Sequence, residues 1–201
     1  IDESVPTSPV NPYGHSKLAS EFMLKDIARV SGMRATILRY FNVAGADIKL
    51  RTGQRTPEAT HLIKVAAEVA AGQRSHLSIF GTDYPTRDGT CIRDYIHVMD
   101  LALAHELALL KPGEAGITRT FNCGYGTGHS VREVVNAFGE VLKRPLPTRD
   151  MPRRAGDPPA LACDSSKLKR ELGWSPAHAS IDAIVETALG WETKLRASKA
   201  A

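Results

Sequence analysis

A tyrosine and a lysine four residues apart, Tyr13 and Lys17, are the residues whose types and spacing could do chemistry. On a helix, residues four apart lie on one face, so the phenol and the ammonium would be neighbours. A nearby cation favours the phenolate form of tyrosine, which can exchange a proton with a substrate hydroxyl. The pair therefore predicts acid–base chemistry, although the spacing alone also fits a half-buried tyrosine beside a solvated lysine.

The sequence around the pair predicts the helix that would position it. Asn11 is a favoured capping residue, and Pro12 suits the first helical position, where its missing N–H costs nothing. The helix is expected over residues 12–30, before Ser31 and Gly32. Tyr13 would then lie in its first turn.

The rest of the chain alternates helical and strand patterns, which predicts an α/β fold. Residues 34–41 read as a buried strand, and residues 81–93 are rich in Gly, Asp, Thr and Pro, as in an irregular binding loop. Further helices are predicted over 61–71, 100–110, 130–142 and 180–196, and further strands over 77–80 and 118–124.

Bulk composition limits the class of protein. With 201 residues and 42% hydrophobic content, the chain can form one domain or parts of two. No apolar run approaches the ~20 residues that span a bilayer, and the acidic start is unlike a signal peptide, so we expect a cytoplasmic protein and no membrane partner. Three widely spaced cysteines predict no disulfide framework, and the histidine spacing predicts no bound metal.

The net charge of +4 allows an anionic partner. Basic residues concentrate between Lys143 and Arg170, but acidic residues are interleaved with them, and neither an aromatic stacking series nor a standard nucleic-acid-binding motif is present. A diphosphate is therefore a better candidate than nucleic acid.

A glycine-rich run over residues 124–130 resembles a dinucleotide-binding loop only superficially. The G-x-G-x-x-G pattern requires a glycine where this chain has His129. We interpret the run as turn geometry before a helix.

Three longer segments carry a family resemblance: PVNPYGHSKLASE at 9–21, LRYFNVAGA at 38–46 and IFGTDYPTRDGTCIRDYIHVMDLALAH at 79–105. The first two resemble the NAD-dependent nucleotide-sugar epimerases and dehydratases of the extended short-chain dehydrogenase superfamily. The third resembles the UDP-glucose 4-epimerase branch in particular, so the resemblance implies interconversion of UDP-galactose and UDP-glucose.

The resemblance implies the second part of a Rossmann-type doubly wound parallel sheet plus a small mixed α/β substrate-binding region. Residues 1–46 would complete the NAD-binding domain, and residues 47–201 would mainly bind the UDP-sugar, with about 96–125 returning to the Rossmann sheet. In the family, the phosphate-binding glycine loop and the serine or threonine that assists the tyrosine lie ahead of the position that corresponds to Ile1. The chain is therefore expected to be an incomplete fragment, inactive alone.

The resemblance also implies residue roles. Tyr13 would remove the proton from the sugar 4-hydroxyl while hydride leaves C4 for tightly bound NAD, giving a 4-keto intermediate. Lys17 would hold the nicotinamide ribose and keep Tyr13 ionised, and Phe41 would contact the cofactor. The residues implied to bind the UDP-sugar substrate are Asn42, Leu62, Ser78, Ile79, Phe80, Arg93, Arg154 and Asp157. Family members imply a homodimer for the full-length parent.

Alternatives remain open at this point. The same scaffold serves UDP-pentose 4-epimerases and nucleotide-sugar 4,6-dehydratases, and a dehydratase needs an extra acid–base pair in the part of the family's fold that precedes Ile1. From a different class, the chain could be a non-catalytic UDP-sugar-binding fragment. Leu161, at a position that borders the sugar in the family, leaves the tolerance of N-acetylated sugars undecided.

Overall fold

The computed structural model describes residues 1–200 as a mixed α/β fold. The helices are α1 (Pro12–Ser31), α2 (Leu62–Ala70), α3 (Val98–Leu110), α4 (Val131–Leu142), α5 (Ser166–Leu172) and α6 (Ile181–Ala200). The strands are β1 (Ala35–Tyr40), β2 (Asn42–Ala44), β3 (Leu77–Phe80), β4 (Ile92–His97), β5 (Thr118–Cys123), β6 (Gly128–Ser130), β7 (Thr148–Met151) and β8 (Ala160–Leu161).

Helix α1 begins and ends where its sequence signals lie. The Asn11 side chain accepts a hydrogen bond from the Gly14 N–H at 2.8 Å, and Gly32 ends the helix in the left-handed conformation. Arg39 of β1 donates two hydrogen bonds to the Glu21 carboxylate, at 2.7 and 2.6 Å. This bidentate ion pair fixes the helix that carries Tyr13 against the first strand.

Most strand pairs are parallel, as in a fold whose strands are joined by helical crossovers. Strand β1 pairs with β5, β2 with β4, β3 with β7, and β4 with β8 in this way. The exception is β6, which runs antiparallel to β4. Strand β4 therefore has β2, β6 and β8 as neighbours and is the central strand of its sheet.

Three hydrophobic clusters hold the elements together. The largest packs α2, α4 and α6 around Phe138 and Val185, and the second packs Phe121 of β5 against Trp174 and α5. A smaller cluster joins Ile79, Tyr84, Cys91 and Val131 beneath the loop before β4. All three cysteines are buried and free.

Ser130 caps α4 through a full capping box: its hydroxyl accepts from the Glu133 N–H, and the Glu133 carboxylate accepts from the Ser130 N–H. Close packing explains why glycine occurs in the run before this helix. A side chain at Gly124 would collide with Cys163 and Asp94, and the Asp94 carboxylate accepts hydrogen bonds from the next two backbone N–H groups.

No helix among residues 1–200 is both long enough and apolar enough for a membrane span.

Candidate active site

Two adjoining cavities lie along the carboxyl ends of β1, β2 and β3 and beside β4. The first has a volume of about 1000 Å³ and the second about 750 Å³. Asn42, His61, Leu62 and Tyr95 line both cavities. The two spaces therefore share a wall and can hold two parts of one extended ligand.

Tyr13 stands at the edge of the first cavity, with 72% of the residue exposed. The Lys17 ammonium lies 5.2 Å from the centroid of the Tyr13 ring, as the helical spacing predicts. Phe41, in the link between β1 and β2, lines the same cavity, and its N–H donates to the Cys123 carbonyl at 3.2 Å. Tyr13 and Phe41 thus line the first cavity, and the Lys17 cation stands beside the Tyr13 ring without itself lining the cavity.

The second cavity is lined by most of the residues to which the family resemblance gives a nucleotide-binding role. Ser78 and Phe80 of β3 line it, whereas Ile79 between them is 1% exposed and packs into the core with Tyr84 and Cys91. Alternation along a strand explains why the side chain of Ile79 points away from the cavity. Any contact from Ile79 to a ligand would involve its backbone.

Two arginines and an aspartate complete the second cavity. Arg93 of β4 donates to the Asp157 carboxylate at 2.5 Å, and the Arg154 guanidinium lies 3.8 Å from the centroid of the Phe80 ring. Among the residues that the structure describes, Arg154 makes no ion pair with a carboxylate. Its charge is therefore available to an anionic ligand, held in place by a cation–π contact.

Tyr95 is a cavity residue that sequence reasoning missed. It is 3% exposed, lines both cavities, and stands two residues after Arg93 on β4, so that both side chains lie on one face of the strand. Burial raises the pKa of Tyr95, so its hydroxyl stays protonated and can donate a hydrogen bond into the cavity. The two-residue spacing from Arg93 is the signal that could have found it.

A network of four charged side chains is paired within itself beside the two cavities. Lys64 and Glu192 of α6, which line the first cavity, pair with each other, and Lys64 also lies 3.2 Å from Glu68. Arg74, which lines the second cavity, donates to Glu68 at 2.5 Å. Two cations thus face two carboxylates, so the network carries no net charge.

A buried histidine supports the loop that follows β2. The His97 ring is 3.0 Å from the Thr187 hydroxyl, which accepts from the Ala46 N–H, and a side chain at Gly45 would collide with both residues. Burial, reinforced by His178, lowers the pKa of His97 to about 4. His97 is therefore neutral at pH 7 and acts as a hydrogen-bonding support.

Comparison with known proteins places this geometry in a family. The family model described as GDP-mannose 4,6 dehydratase matches residues 1–188. The chain belongs to this family. Within it, the chain is 56% identical over 198 residues to a UDP-glucose 4-epimerase from Azospirillum brasilense, covering 98% of this chain and 57% of that protein. The chain thus spans little more than half the length of this curated relative.

Solved structures agree with this assignment. A UDP-glucose 4-epimerase from Bifidobacterium longum, in complex with NAD+ and UDP, matches with a TM-score of 0.89 and 39% identity, covering 96% of this chain and 58% of that chain. The enzyme from Brucella ovis, in complex with NAD, gives 0.89 and 44%, covering 96% and 59%. The resemblance to the epimerase branch and the predicted α/β fold class are confirmed.

Proposed function

We propose that this chain is the substrate-binding and proton-transferring part of a UDP-glucose 4-epimerase that uses NAD. The observation that carries the proposal is the position of Tyr13, with Lys17 beside its ring, at the edge of a cavity that adjoins a second one lined by Arg93, Arg154 and Asp157. The relatives at 39–56% identity, which are named as epimerases, support it. The dehydratase alternative is favoured by the description of the family model and by no feature of the two cavities.

Tyr13 acts as the base in this proposal. The Tyr13 phenolate takes the proton of the sugar 4-hydroxyl, and Lys17, one helical turn away, stabilises the negative charge of that phenolate. After the 4-keto sugar has rotated, the Tyr13 phenol gives the proton back to the 4-oxygen. In both steps the sugar 4-oxygen must come within hydrogen-bond reach of the exposed Tyr13 oxygen, while the hydride that C4 loses and regains belongs to the cofactor's part of the reaction.

The residues at the mouth of the first cavity fit the nicotinamide end of NAD. Lys17 is exposed and is without a carboxylate partner among residues 1–200, so it can donate to ribose hydroxyls, and Phe41 offers an aromatic face. The chemistry that NAD supplies when bound is acceptance and return of hydride at the sugar C4. We propose residues 1–46 as the part that completes the NAD domain, with about 96–125 returning to its sheet.

The UDP moiety is proposed to lie in the second cavity. Arg93 and Arg154 provide the donors that suit diphosphate oxygens, and Asp157 suits ribose hydroxyls. Asn42 and Leu62, on the shared wall, would contact the join between nucleotide and sugar, and β3 from Ser78 through Ile79 to Phe80 would border the uridine. All of these contacts come from this chain.

Because one chain supplies the whole of that cavity, we expect the isolated chain to bind UDP and to purify without NAD. Isothermal titration calorimetry should give a measurable Kd, and Arg154→Leu should weaken it by about tenfold through loss of a charge-assisted contact. Arg170→Leu is the matched control, since this exposed arginine of α5 lies outside both cavities. Equal weakening by both variants, or no UDP binding by the wild type, would contradict the assignment.

The full-length parent is the proper test of the reaction. A coupled assay with NAD present should detect interconversion of UDP-galactose and UDP-glucose. An assay that detects interconversion only of UDP-pentoses would favour the pentose epimerase alternative.

The parent is also proposed to be a homodimer. Large apolar side chains stand exposed along α1, namely Phe22 at 56%, Met23 at 58%, Ile27 at 55% and Val30 at 86%. A patch of this kind on a folded protein is usually covered by a partner. Light scattering of the full-length parent should give twice the monomer mass, and Ile27→Glu should shift it to the monomer. A cytoplasmic location stays a prediction that rests on the sequence.

A further inference from the structure

The loop of residues 83–90, DYPTRDGT, has no part in the site described so far, although it forms the centre of the longest family-like segment. It connects β3, which lines the second cavity, to β4, which carries Arg93. Beside it runs the segment of residues 152–159, which links β7 to β8; we refer to this link as the strap. The strap carries both Arg154 and Asp157 of the second cavity.

Arg153 of the strap contacts two residues of the loop. The Arg153 side chain donates to the Asp83 carboxylate at 2.7 Å and also to the Asp83 backbone carbonyl, and its guanidinium lies 4.3 Å from the centroid of the Tyr84 ring. The hydrogen bond to the carboxylate holds the pKa of Asp83 below its usual value. Arg153 is therefore engaged on three sides by two residues of the loop.

The backbone beneath this contact leaves no room for another side chain. Gly81 has a φ of +85°, and a Cβ there would lie 2.5 Å from the Tyr84 ring and 2.7 Å from Cγ of Arg153. The Gly81 N–H donates to the Met151 carbonyl at 2.8 Å, just before the strap begins. The contacts of Arg153 with the loop therefore lie directly beyond the end of the β3–β7 strand pair.

Neighbouring residues of the strap point to opposite sides. Arg153 reaches the loop outside the cavity, while Arg154 stacks on Phe80 inside it and Asp157 pairs with Arg93. Without the Arg153 contact, the middle of the strap would be held by the contacts of Arg154 with Phe80 and of Asp157 with Arg93. A nucleotide in the second cavity would compete for these same side chains. Ordering a loosened segment on binding costs affinity.

We propose that Arg153, held by Asp83 and Tyr84, is a positioning residue for the nucleotide: it fixes the strap so that Arg154 and Asp157 stand ready for the diphosphate and the ribose. The proposal rests on the proposed function, because the ligand is the UDP moiety. In this proposal, the DYPTRDGT loop stabilises the strap that lines the second cavity.

Calorimetric titration of the chain with UDP tests the proposal. Arg153→Leu should weaken UDP binding by about tenfold, and Asp83→Ala by about threefold to tenfold, since each releases the strap. Both contacts are exposed, so the melting temperature should hardly change. Arg132→Leu is the matched control, because Arg132 is equally exposed and pairs with Asp150 of β7 at 3.6 Å outside the strap; its UDP affinity should equal the wild type.

The sign of the Asp83→Ala effect separates positioning from direct charge. If Arg153 attracted the diphosphate directly, removal of the neighbouring carboxylate would leave UDP binding unchanged or make it tighter, and the proposal would be overturned. In an Arg154→Leu background, Arg153→Leu should weaken UDP binding by less than it does alone, because the part of its effect that passes through Arg154 is already lost. If the wild-type chain binds UDP but the effects of Arg153→Leu and Arg154→Leu are fully additive, the role of Arg153 is rejected and the proposed function stands. If the wild-type chain does not bind UDP, the proposed function itself is rejected.

Discussion

Tyr13→Phe in the full-length parent is expected to lower kcat for epimerisation by about 10²- to 10⁴-fold, because the substitution removes the oxygen that is proposed to take the proton of the sugar hydroxyl. The UDP affinity should stay at the wild-type value, since the proposed nucleotide contacts lie in the second cavity. The melting temperature should also be unchanged, because the Tyr13 side chain is exposed. A coupled assay, a UDP titration and a thermal melt measure the three quantities.

The lysine gives this expectation a matched control. Lys17→Met should lower kcat by about tenfold or more, because the negative charge on the Tyr13 oxygen loses its cationic neighbour. Lys25 forms a similar pair two turns further along α1, 5.9 Å from the Phe22 ring and outside both cavities, so Lys25→Met should leave kcat unchanged. Wild-type kcat in Tyr13→Phe would remove the basis of the proposed function.

Asp100→Ala is expected to destabilise the isolated chain by about 3–5 kcal/mol, because buried donors would lose their acceptor. Asp100 is 2% exposed. Its carboxylate accepts from the Tyr125 hydroxyl at 2.5 Å and from the N–H groups of Ala177 and His178, each at 2.9 Å. Burial and the Asp100 carboxylate raise the pKa of Tyr125, so its hydroxyl remains a donor. Urea unfolding followed by circular dichroism measures the loss.

Asp26→Ala is the control for this effect, because Asp26 is an exposed helical aspartate that pairs with the equally exposed Arg29 one turn away. It should change the free energy of unfolding by less than about 0.5 kcal/mol. If Asp100→Ala prevents folding altogether, Asp100→Asn still tests the idea, since the amide oxygen can replace one acceptor and should give an intermediate loss. A change below about 1 kcal/mol in Asp100→Ala would show that the other contacts of this segment suffice.

Local signals predicted five of the six helices. Asn11 with Pro12, Gly32 and the Ser130 cap gave the ends of α1 and α4 to within about a residue, because each signal is a contact between chain neighbours. Helix α5 was not predicted, and α6 extends to Ala200, beyond its predicted end at residue 196.

The strands that were not predicted are β2, β4, β6, β7 and β8. In β4, the charged Arg93 and Asp94 break the apolar alternation, and most of their partners are distant: Asp157 for Arg93, and the backbone of residues 125, 126 and 163 for Asp94.

The site was predictable from the sequence only where the family resemblance supplied it. Spacing brought Tyr13 and Lys17 together, as the structure has them, but nothing local indicates that Arg154 reaches Phe80, more than seventy residues earlier. Tyr95 was missed for a different reason: a buried tyrosine in a strand looks like a core residue until the cavities on either side of it are known. The residue roles themselves stay predictions.

The wall of Asn42, His61, Leu62 and Tyr95 is shared by both cavities, so under the proposed function one cavity would anchor the nucleotide and the other would leave the sugar room to move. A ligand clamped by its nucleotide in the smaller space would be tethered at the anomeric phosphate, with its pyranose ring free to swivel in the larger one. The formation of both C4 epimers would then depend on free space around the pyranose ring. Bulkier side chains in that space should favour one epimer over the other while leaving the affinity for the nucleotide unchanged.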